Sequence, residues 1–329
     1  MKIIFIILSS FFLVSCFKSE KVFSFRGETM GTYYSVKIVS DKLDEEQIKL
    51  QIETLLKEVN QVFSTYIETS EVSRFNLHKS YAPFEVTPVM MELITLSNDI
   101  HKKSNGLFDP TVGPLVNLWG FGPDGRRKKP TDLDINKVLN NVGLKKISIT
   151  NNQLTKREKD IYLDFSSIAK GQGVDDLALV IKSRGFKSYL VEIGGEVRAH
   201  GKKPDGSLWA IGIEKPSSDR GQTIQKIIHL KDESIATSGS YRNYLKYGES
   251  IFSHTINPQT GYPVRHKLVS VSIIHKMCAV ADGWATALMA MGHEKGLDLA
   301  NELGLQAFFL VKEGDEFKEI MSKAFELRR

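Results

Sequence analysis

Apolar residues recur at two different spacings along this chain, and each spacing predicts a type of secondary structure. Between residues 44 and 63 they fall every three or four positions, which predicts an amphipathic helix with Asp44 as its N-cap. Thr87 followed by Pro88 predicts the start of a second helix, because Pro is well placed in the first helical turn. Residues 32–39 are instead rich in β-branched and aromatic side chains, which predicts a strand.

The remaining predicted elements mix helices with strands. Further helices are predicted at residues 168–184 and 279–291. Further strands are predicted at residues 188–193, 208–214, 224–230, 269–274 and 305–311. Because strands and helices do not alternate regularly, the pattern favours an α+β fold over a doubly wound parallel sheet. No long linker interrupts residues 25–329, so we expect a single domain there.

The N-terminal end carries the features of an export signal. Lys2 precedes an apolar run, residues 3–14, that is too short to span a membrane. The run ends in Leu-Val-Ser-Cys, which resembles the bacterial lipobox. We therefore expect residues 1–15 to be a signal peptide, Cys16 to carry lipid, and residues 16–24 to be the lipidated Cys and a tether. An uncleaved N-terminal anchor and a plain secreted protein are the alternatives.

The composition is that of a globular protein, since 41% of the 329 residues are apolar and 25% are charged. Lys and Arg exceed Asp and Glu by 44 to 39, and this small excess does not indicate nucleic-acid binding. The sequence lacks a P-loop, a dinucleotide-binding glycine fingerprint and the His or Cys spacing of a metal site. The second of the two cysteines, Cys278, would be a free thiol in the mature chain.

A phosphate site is one interpretation of the segment that follows Asp164. A strand and a turn of small residues before the helix at 168–184 would leave backbone N–H groups free at the helix start, and such groups bind anions. The alternative is an ordinary helix start that is capped by Ser166 or Ser167. The local sequence leaves both interpretations open.

Asp282 and Thr286 suggest a cation site on the helix predicted at 279–291. They are four residues apart and therefore lie on one face of that helix. Mg²⁺ is commonly held by one or two carboxylates and by substrate phosphates, so this sparse set of oxygen atoms would suffice. A purely structural pair is the alternative. His254, in a turn-rich segment, is a candidate base or phosphate contact, although most loop histidines serve neither role.

Eight short motifs follow one another along most of the chain. They occupy residues 29–32, 64–76, 109–121, 164–175, 192–196, 238–239, 254–263 and 281–286. In this order they resemble the ApbE family of FAD:protein FMN transferases. The resemblance implies an α+β, bilobal architecture related to the tunnelling fold, with FAD between the two lobes.

The resemblance also implies Mg²⁺-dependent transfer of FMN from FAD to a threonine hydroxyl of a target protein, with release of AMP. It implies that the metal is held by Asp282, Thr286 and a backbone oxygen near Ser167. It implies that the FAD site is lined by Met30, Tyr66, Leu107, Phe108, Asp109, Asp164, Lys170 and Ile256. His254 and Asp282 are the candidate catalytic groups that take the threonine proton, and the sequence does not choose between them.

Members of this family are often periplasmic lipoproteins, which implies a location and a set of partners. We expect the chain on the periplasmic face of a bacterial membrane, anchored through Cys16. The expected acceptors are subunits of Na⁺-pumping NADH:quinone reductase (Nqr) or of Rnf-type complexes, and no nucleic-acid partner is expected. Two other functions would use the same site: an FAD pyrophosphatase in which water replaces the threonine, and a flavin-binding lipoprotein without turnover.

Overall fold

The structure is a computed structural model that describes residues 20–122, 129–215, 223–240, 244–247 and 250–328. The predicted signal peptide and Cys16 lie outside these residues. Within the described ranges, no helix is both long enough and apolar enough to cross a membrane.

An antiparallel sheet of eight strands forms the centre of the fold. The strands in chain order are β1 (Lys21–Thr29), β2 (Thr32–Ser40), β3 (Phe84–Glu85), β4 (Ile147–Thr150), β5 (Gln153–Lys156), β6 (Tyr189–Ile193), β7 (Glu196–His200), β8 (Trp209–Glu214), β9 (Ile224–Leu230), β10 (Ser234–Gly239), β11 (Tyr244–Tyr247), β12 (Ser250–Ser253), β13 (Leu268–His275), β14 (Gln306–Glu313) and β15 (Glu316–Met321). The central sheet has the order β1-β2-β6-β7-β10-β13-β14-β15, and every neighbouring pair in it is antiparallel. The other strands form the sheet β3-β5-β4 and the two-stranded ribbons β8–β9 and β11–β12.

Helices pack against this sheet and at its ends, which confirms the α+β prediction. They are α1 (Glu45–Phe63), α2 (Glu71–Leu77), α3 (Pro88–Lys103), α4 (Gly113–Trp119), α5 (Asp132–Leu139), α6 (Ala169–Ser183), α7 (Cys278–Met291), α8 (His293–Glu302) and α9 (Lys323–Glu326). The predicted caps are present: Asp44 accepts a hydrogen bond from the Gln47 backbone N–H at 3.1 Å, and Thr87 accepts one from Met90 at 3.3 Å.

A strand that the sequence analysis did not predict, β1, precedes the strand predicted at residues 32–39. Residues 21–24, which were expected in the tether, form the start of β1 and pair with β2. Phe23 and Phe25 alternate with more exposed residues and are both buried against the apolar face of α1, so an extended strand is the conformation that buries both rings. The tight turn between β1 and β2 places Met30 and Gly31 at φ of +51° and +70°.

Helices α6 and α7 cross beside the central sheet, and their contact requires a glycine. Almost all of α7 is buried, because this Ala-rich helix lies against β10 and β13. At the crossing, a Cβ atom added to Gly171 would lie 2.6 Å from the carbonyl oxygen of Cys278. The absence of a side chain at Gly171 therefore brings the start of α6 against the start of α7.

A separate apolar cluster joins α4, α5 and the segment after β12, apart from the clusters that surround the sheet. Its buried members are Leu115, Trp119, Ile135, Val142, Phe252 and Ile256. The Trp119 indole donates a hydrogen bond to the Gly261 carbonyl at 2.8 Å, which fixes the loop after β12 to α4. This second apolar centre agrees with the predicted two-lobed architecture.

We expect Gly171→Ala to lower the free energy of unfolding by more than about 2 kcal/mol, because the new methyl group meets backbone atoms that cannot rotate away. Urea denaturation followed by circular dichroism measures the loss.

Gly173→Ala is the matched control in the same helix. Its added Cβ would lie 3.1 Å and 3.3 Å from the side-chain ends of Ile193 and Met30, which can adjust. The smaller entropy loss of Ala in a helix, about 1 kcal/mol, offsets part of that cost. Equal losses in the two variants would contradict the close crossing.

Candidate functional site

One large cavity of about 1510 Å³ opens between the central sheet, the start of α6, the face of α7 that carries Asp282 and Thr286, and the lobe that contains α4. Its volume exceeds the several hundred Å³ that are usual for drug-sized ligands, so it suits a molecule as long as a dinucleotide. All the site residues predicted from the sequence line this cavity: Met30, Tyr66, Leu107, Phe108, Asp109, Asp164, Ser167, Lys170, His254, Ile256, Asp282 and Thr286. Residues that are up to 256 positions apart in the sequence, from 30 to 286, therefore meet at one site.

Helices α6 and α7 cap each other across their crossing. Asp282, on α7, accepts a hydrogen bond through Oδ2 from the Gly171 N–H at the start of α6, at 3.0 Å. Asp175, on α6, accepts one through Oδ2 from the Ala279 N–H at the start of α7, also at 3.0 Å. The residues that precede these two helices provide no side-chain cap of their own. Each helix thus depends on a carboxylate of the other to satisfy its free N–H groups.

This exchange answers the question that the sequence left open after Asp164. Neither Ser166 nor Ser167 caps α6. The Ser166 N–H instead donates to Asp164 Oδ1 at 2.8 Å, and the Gly171 N–H is taken by Asp282. One N–H group at the start of α6 is therefore already taken, and the Lys170 side chain adds positive charge at this end of the cavity.

Lys170 lies between two buried carboxylates. Its Nζ is 3.5 Å from Glu196 Oε1 and 4.0 Å from Asp282 Oδ2. Burial opposes the charged form of Lys170, but Asp282 and Glu196 outweigh it and raise the pKa of Lys170 above its ordinary value. Burial raises the pKa of Glu196 to about 8 and also raises the pKa of Asp282, and Lys170 opposes both shifts.

The oxygen atoms around Thr286 have the chemistry of a site for a hard cation. Thr286 Oγ1 is 3.3 Å from the Ser167 carbonyl oxygen and 3.2 Å from Ser238 Oγ. Asp282 lies one turn earlier on the same helix. Carboxylate, hydroxyl and carbonyl oxygens are the ligands that Mg²⁺ prefers. The described residues contain no cluster of three His, Cys, Asp or Glu side chains that could hold a metal, so substrate phosphates would have to complete the coordination.

Several of the predicted FAD-site residues shape the cavity through bonds within the protein. Asp109 is buried, and its Oδ1 accepts hydrogen bonds from the Thr111 N–H and hydroxyl at 2.8 Å and 2.6 Å. Its Oδ2 accepts one from the Leu144 N–H at 3.1 Å. The Asp109 carboxylate therefore fixes the cavity wall at the start of the segment that leads into α4.

The remaining predicted residues lie at different depths of the cavity. Tyr66 is 72% exposed and lies at the rim, whereas Ile256 is buried in the wall. His254 is half-buried and lies edge-on to the ring of Phe121, with ring centroids 6.3 Å apart. His254 and Phe121 both line the cavity.

Sequence reasoning missed two residues that the site depends on. Asp175 and Glu196 were each part of a recognised motif, but neither was assigned a role. Asp175 occurs among the apolar residues of α6, and Glu196 follows the turn Gly194–Gly195 at the start of β7. A charged residue within a buried pattern was the available signal, because such residues need a partner when the chain folds.

Comparison with known proteins places these features in one family. The ApbE family model matches residues 30–309. An FAD:protein FMN transferase from Vibrio cholerae is 42% identical over 316 residues, which cover 95% of this chain and 94% of that protein. The solved structure of the flavin transferase ApbE from Vibrio cholerae matches with a TM-score of 0.86 at 41% identity, over 93% of this chain and 99% of that chain. The apo structure of the flavinyl transferase ApbE from Pseudomonas stutzeri matches equally well, over 93% and 96% of the two chains, with a TM-score of 0.86 and 41% identity.

The exchanged caps predict that only one of two adjacent aspartates is needed for stability. Asp175→Ala removes the cap of α7 and leaves Arg198 without its carboxylate partner, so we expect a loss of about 2–3 kcal/mol in the free energy of unfolding. Asp176→Ala is the control. Burial raises the pKa of Asp176 to about 6, and this carboxylate bonds only Gln172 among the described residues. For Asp176→Ala we expect no loss in the free energy of unfolding, measured by urea denaturation at pH 7. A comparable loss at both positions would contradict the exchange of caps between α6 and α7.

Proposed function

The chain belongs to the ApbE family, and from that premise we propose that it transfers FMN from FAD to a threonine hydroxyl of a target protein in this cavity, with Mg²⁺ and with release of AMP. FMN transfer from FAD to a target protein is the activity of this chain. The metal, the threonine and the roles of single residues are the parts that we propose here.

The observation that carries the proposal is the convergence of charge and oxygen atoms at one end of a dinucleotide-sized cavity. Lys170, Asp282 and Thr286 meet there, and all three line the cavity. A pyrophosphate placed at this end would find an ammonium group and a set of oxygen atoms fit to hold a cation. The rest of FAD would extend along the cavity toward the exposed Tyr66.

The reaction exchanges the phosphoanhydride bond within the FAD pyrophosphate for a phosphoester bond to threonine. The threonine oxygen bonds to the phosphorus on the FMN side of FAD, the bond from that phosphorus to the bridging oxygen breaks, and AMP leaves with the bridging oxygen. When bound, Mg²⁺ would neutralise charge on the pyrophosphate and orient its oxygen atoms. The chain holds Asp282 for this purpose through the Gly171 N–H, and holds Thr286 beside the Ser167 carbonyl.

The threonine proton needs an acceptor, and we assign it to His254. Asp282 Oδ2 already accepts the Gly171 N–H and faces Lys170, so a cation on Asp282 would leave that carboxylate little capacity for a proton. His254 is half-buried and lines the same cavity, and an imidazole is the side chain type best suited to accept a proton near neutral pH.

We also propose that the protein works on the periplasmic face of a bacterial membrane, anchored by lipid at Cys16, on Nqr- or Rnf-type subunits. The lipobox at the end of the apolar run supports the anchor. The fold begins at Lys21, so residues 17–20 would form a short tether that keeps the cavity near the membrane surface.

The proposed metal dependence predicts the effect of removing one ligand. Asp282→Ala should lower FMN transfer at least about hundredfold, and EDTA should abolish it in the unchanged protein. The assay mixes the protein lacking residues 1–16 with FAD, Mg²⁺ and a threonine-bearing acceptor, and detects flavin fluorescence on the acceptor in a denaturing gel. Asp298→Ala, an exposed aspartate on α8, is the control and should transfer normally. Full activity in EDTA would rule out the metal.

The assignment of the base predicts a loss of rate without a loss of binding. His254→Gln should lower kcat by about 10²–10⁴ while the Kd for FAD changes less than about threefold, because the ring acts only when the threonine proton moves. Flavin fluorescence titration gives the Kd, and the gel assay gives the rate. A large rise in Kd with an unchanged kcat would make His254 a binding residue instead.

A further inference from the structure

Two carboxylates share one ammonium group at the crossing of α6 and α7. Lys170 Nζ is 3.5 Å from Glu196 Oε1 and 4.0 Å from Asp282 Oδ2. Both separations are longer than an ordinary N–H···O hydrogen bond, so Lys170 is bonded tightly to neither carboxylate. The side chains of Glu196 and Asp282 are only 5% and 4% exposed.

Glu196 differs from Asp282 in what its second oxygen does. Glu196 Oε2 is buried and has no hydrogen-bond partner within the part of the chain that the structure describes. A buried carboxylate oxygen without a donor is unfavourable, so a donor that approached it would be held. Asp282 Oδ2, by contrast, already accepts the Gly171 N–H at 3.0 Å. Glu196 therefore has unused capacity for a second N–H of the Lys170 ammonium group.

Lys170 and a metal ion would compete for Asp282. A carboxylate binds a cation poorly when another positive charge lies beside it. Without Glu196, Lys170 and Asp282 would form a neutral pair in the cavity. With Glu196, the three groups carry a net charge of −1 when all are ionised, and Lys170 has another carboxylate to move to.

We propose that Glu196 is a positioning residue that draws Lys170 away from Asp282 and so lets a divalent cation bind at Asp282 and Thr286. The proposal rests on the metal dependence in the proposed function. A small movement of Lys170 would bring its ammonium group onto both oxygen atoms of Glu196. Asp282 would then keep its bond to Gly171 and be free of the competing charge.

A double-mutant cycle read by Mn²⁺ binding tests this role without any turnover. Free Mn²⁺ is measured by electron paramagnetic resonance in the protein without FAD. We expect Glu196→Gln to weaken Mn²⁺ binding about tenfold when Lys170 is present, and about twofold or less in the Lys170→Met variant. Lys170→Met alone should tighten Mn²⁺ binding, because the competitor is gone.

Glu192→Gln is the matched control for the loss of a negative charge. Glu192 lines the same cavity, but its carboxylate is already bonded to the Tyr33 hydroxyl at 2.6 Å. We expect it to change Mn²⁺ binding less than about twofold in either background. Thermal melts check that each variant folds. If Glu196→Gln does not fold, Glu196→Asp replaces it, because this variant keeps the charge but shortens the reach to Lys170. Glu196→Asp should weaken Mn²⁺ binding as strongly as Glu196→Gln.

Two results would overturn the proposal, and they differ in what else they affect. Equal weakening by Glu196→Gln with and without Lys170 would mean that Glu196 acts directly on the cation, as a charge or as a ligand. Absence of Mn²⁺ binding in the unchanged protein would remove the metal dependence of the proposed function together with the positioning role. If the unchanged protein binds Mn²⁺ and the effects of the substitutions at positions 170 and 196 depend on each other, the result supports both the positioning role and the metal dependence.

Discussion

The exchange of caps between α6 and α7 is the interaction on which the rest of the site depends. Each helix begins inside the protein, where its free N–H groups cannot bond water, and each receives a carboxylate from the other. The exchange requires the two helix starts to touch, and Gly171 allows that contact. Asp282 is thereby fixed in the cavity by a bond that also stabilises the fold, so the proposed metal ligand is in place before any ligand arrives.

This arrangement has an electrostatic cost that the fold offsets only in part. Asp282 and Glu196 are both buried, burial raises the pKa of each, and Lys170 is the cation that the structure places beside them. A buried ion pair seldom adds net stability. Ligand binding therefore explains the presence of Lys170, Glu196 and Asp282 better than stability does. A divalent cation would supply the positive charge that this group of two carboxylates and one ammonium lacks.

Much of the fold was predictable from local sequence, and the errors have physical causes. The helices that begin at Asp44 and Thr87 were correct because capping and apolar spacing are local signals. Strand β1 was missed, because its pairing with β2 is not visible before the chain folds. The predicted site residues do line one cavity, but their order in the sequence could not reveal that Asp282 caps α6 or that Glu196 shares Lys170. Such partners depend on contacts between residues that are distant in the sequence, 111 positions apart for Gly171 and Asp282.

The most direct test of the central claim is the ratio of AMP released to flavin bound covalently to the acceptor, measured in one reaction with FAD and Mg²⁺. Transfer to a protein hydroxyl predicts one AMP for each flavin on the acceptor, and no AMP when the acceptor is left out. AMP release that continues without acceptor, or that greatly exceeds the bound flavin, would contradict the account, because the cavity would then deliver water to the same phosphorus. Bound FAD with no AMP at all would leave a flavin-binding protein without turnover.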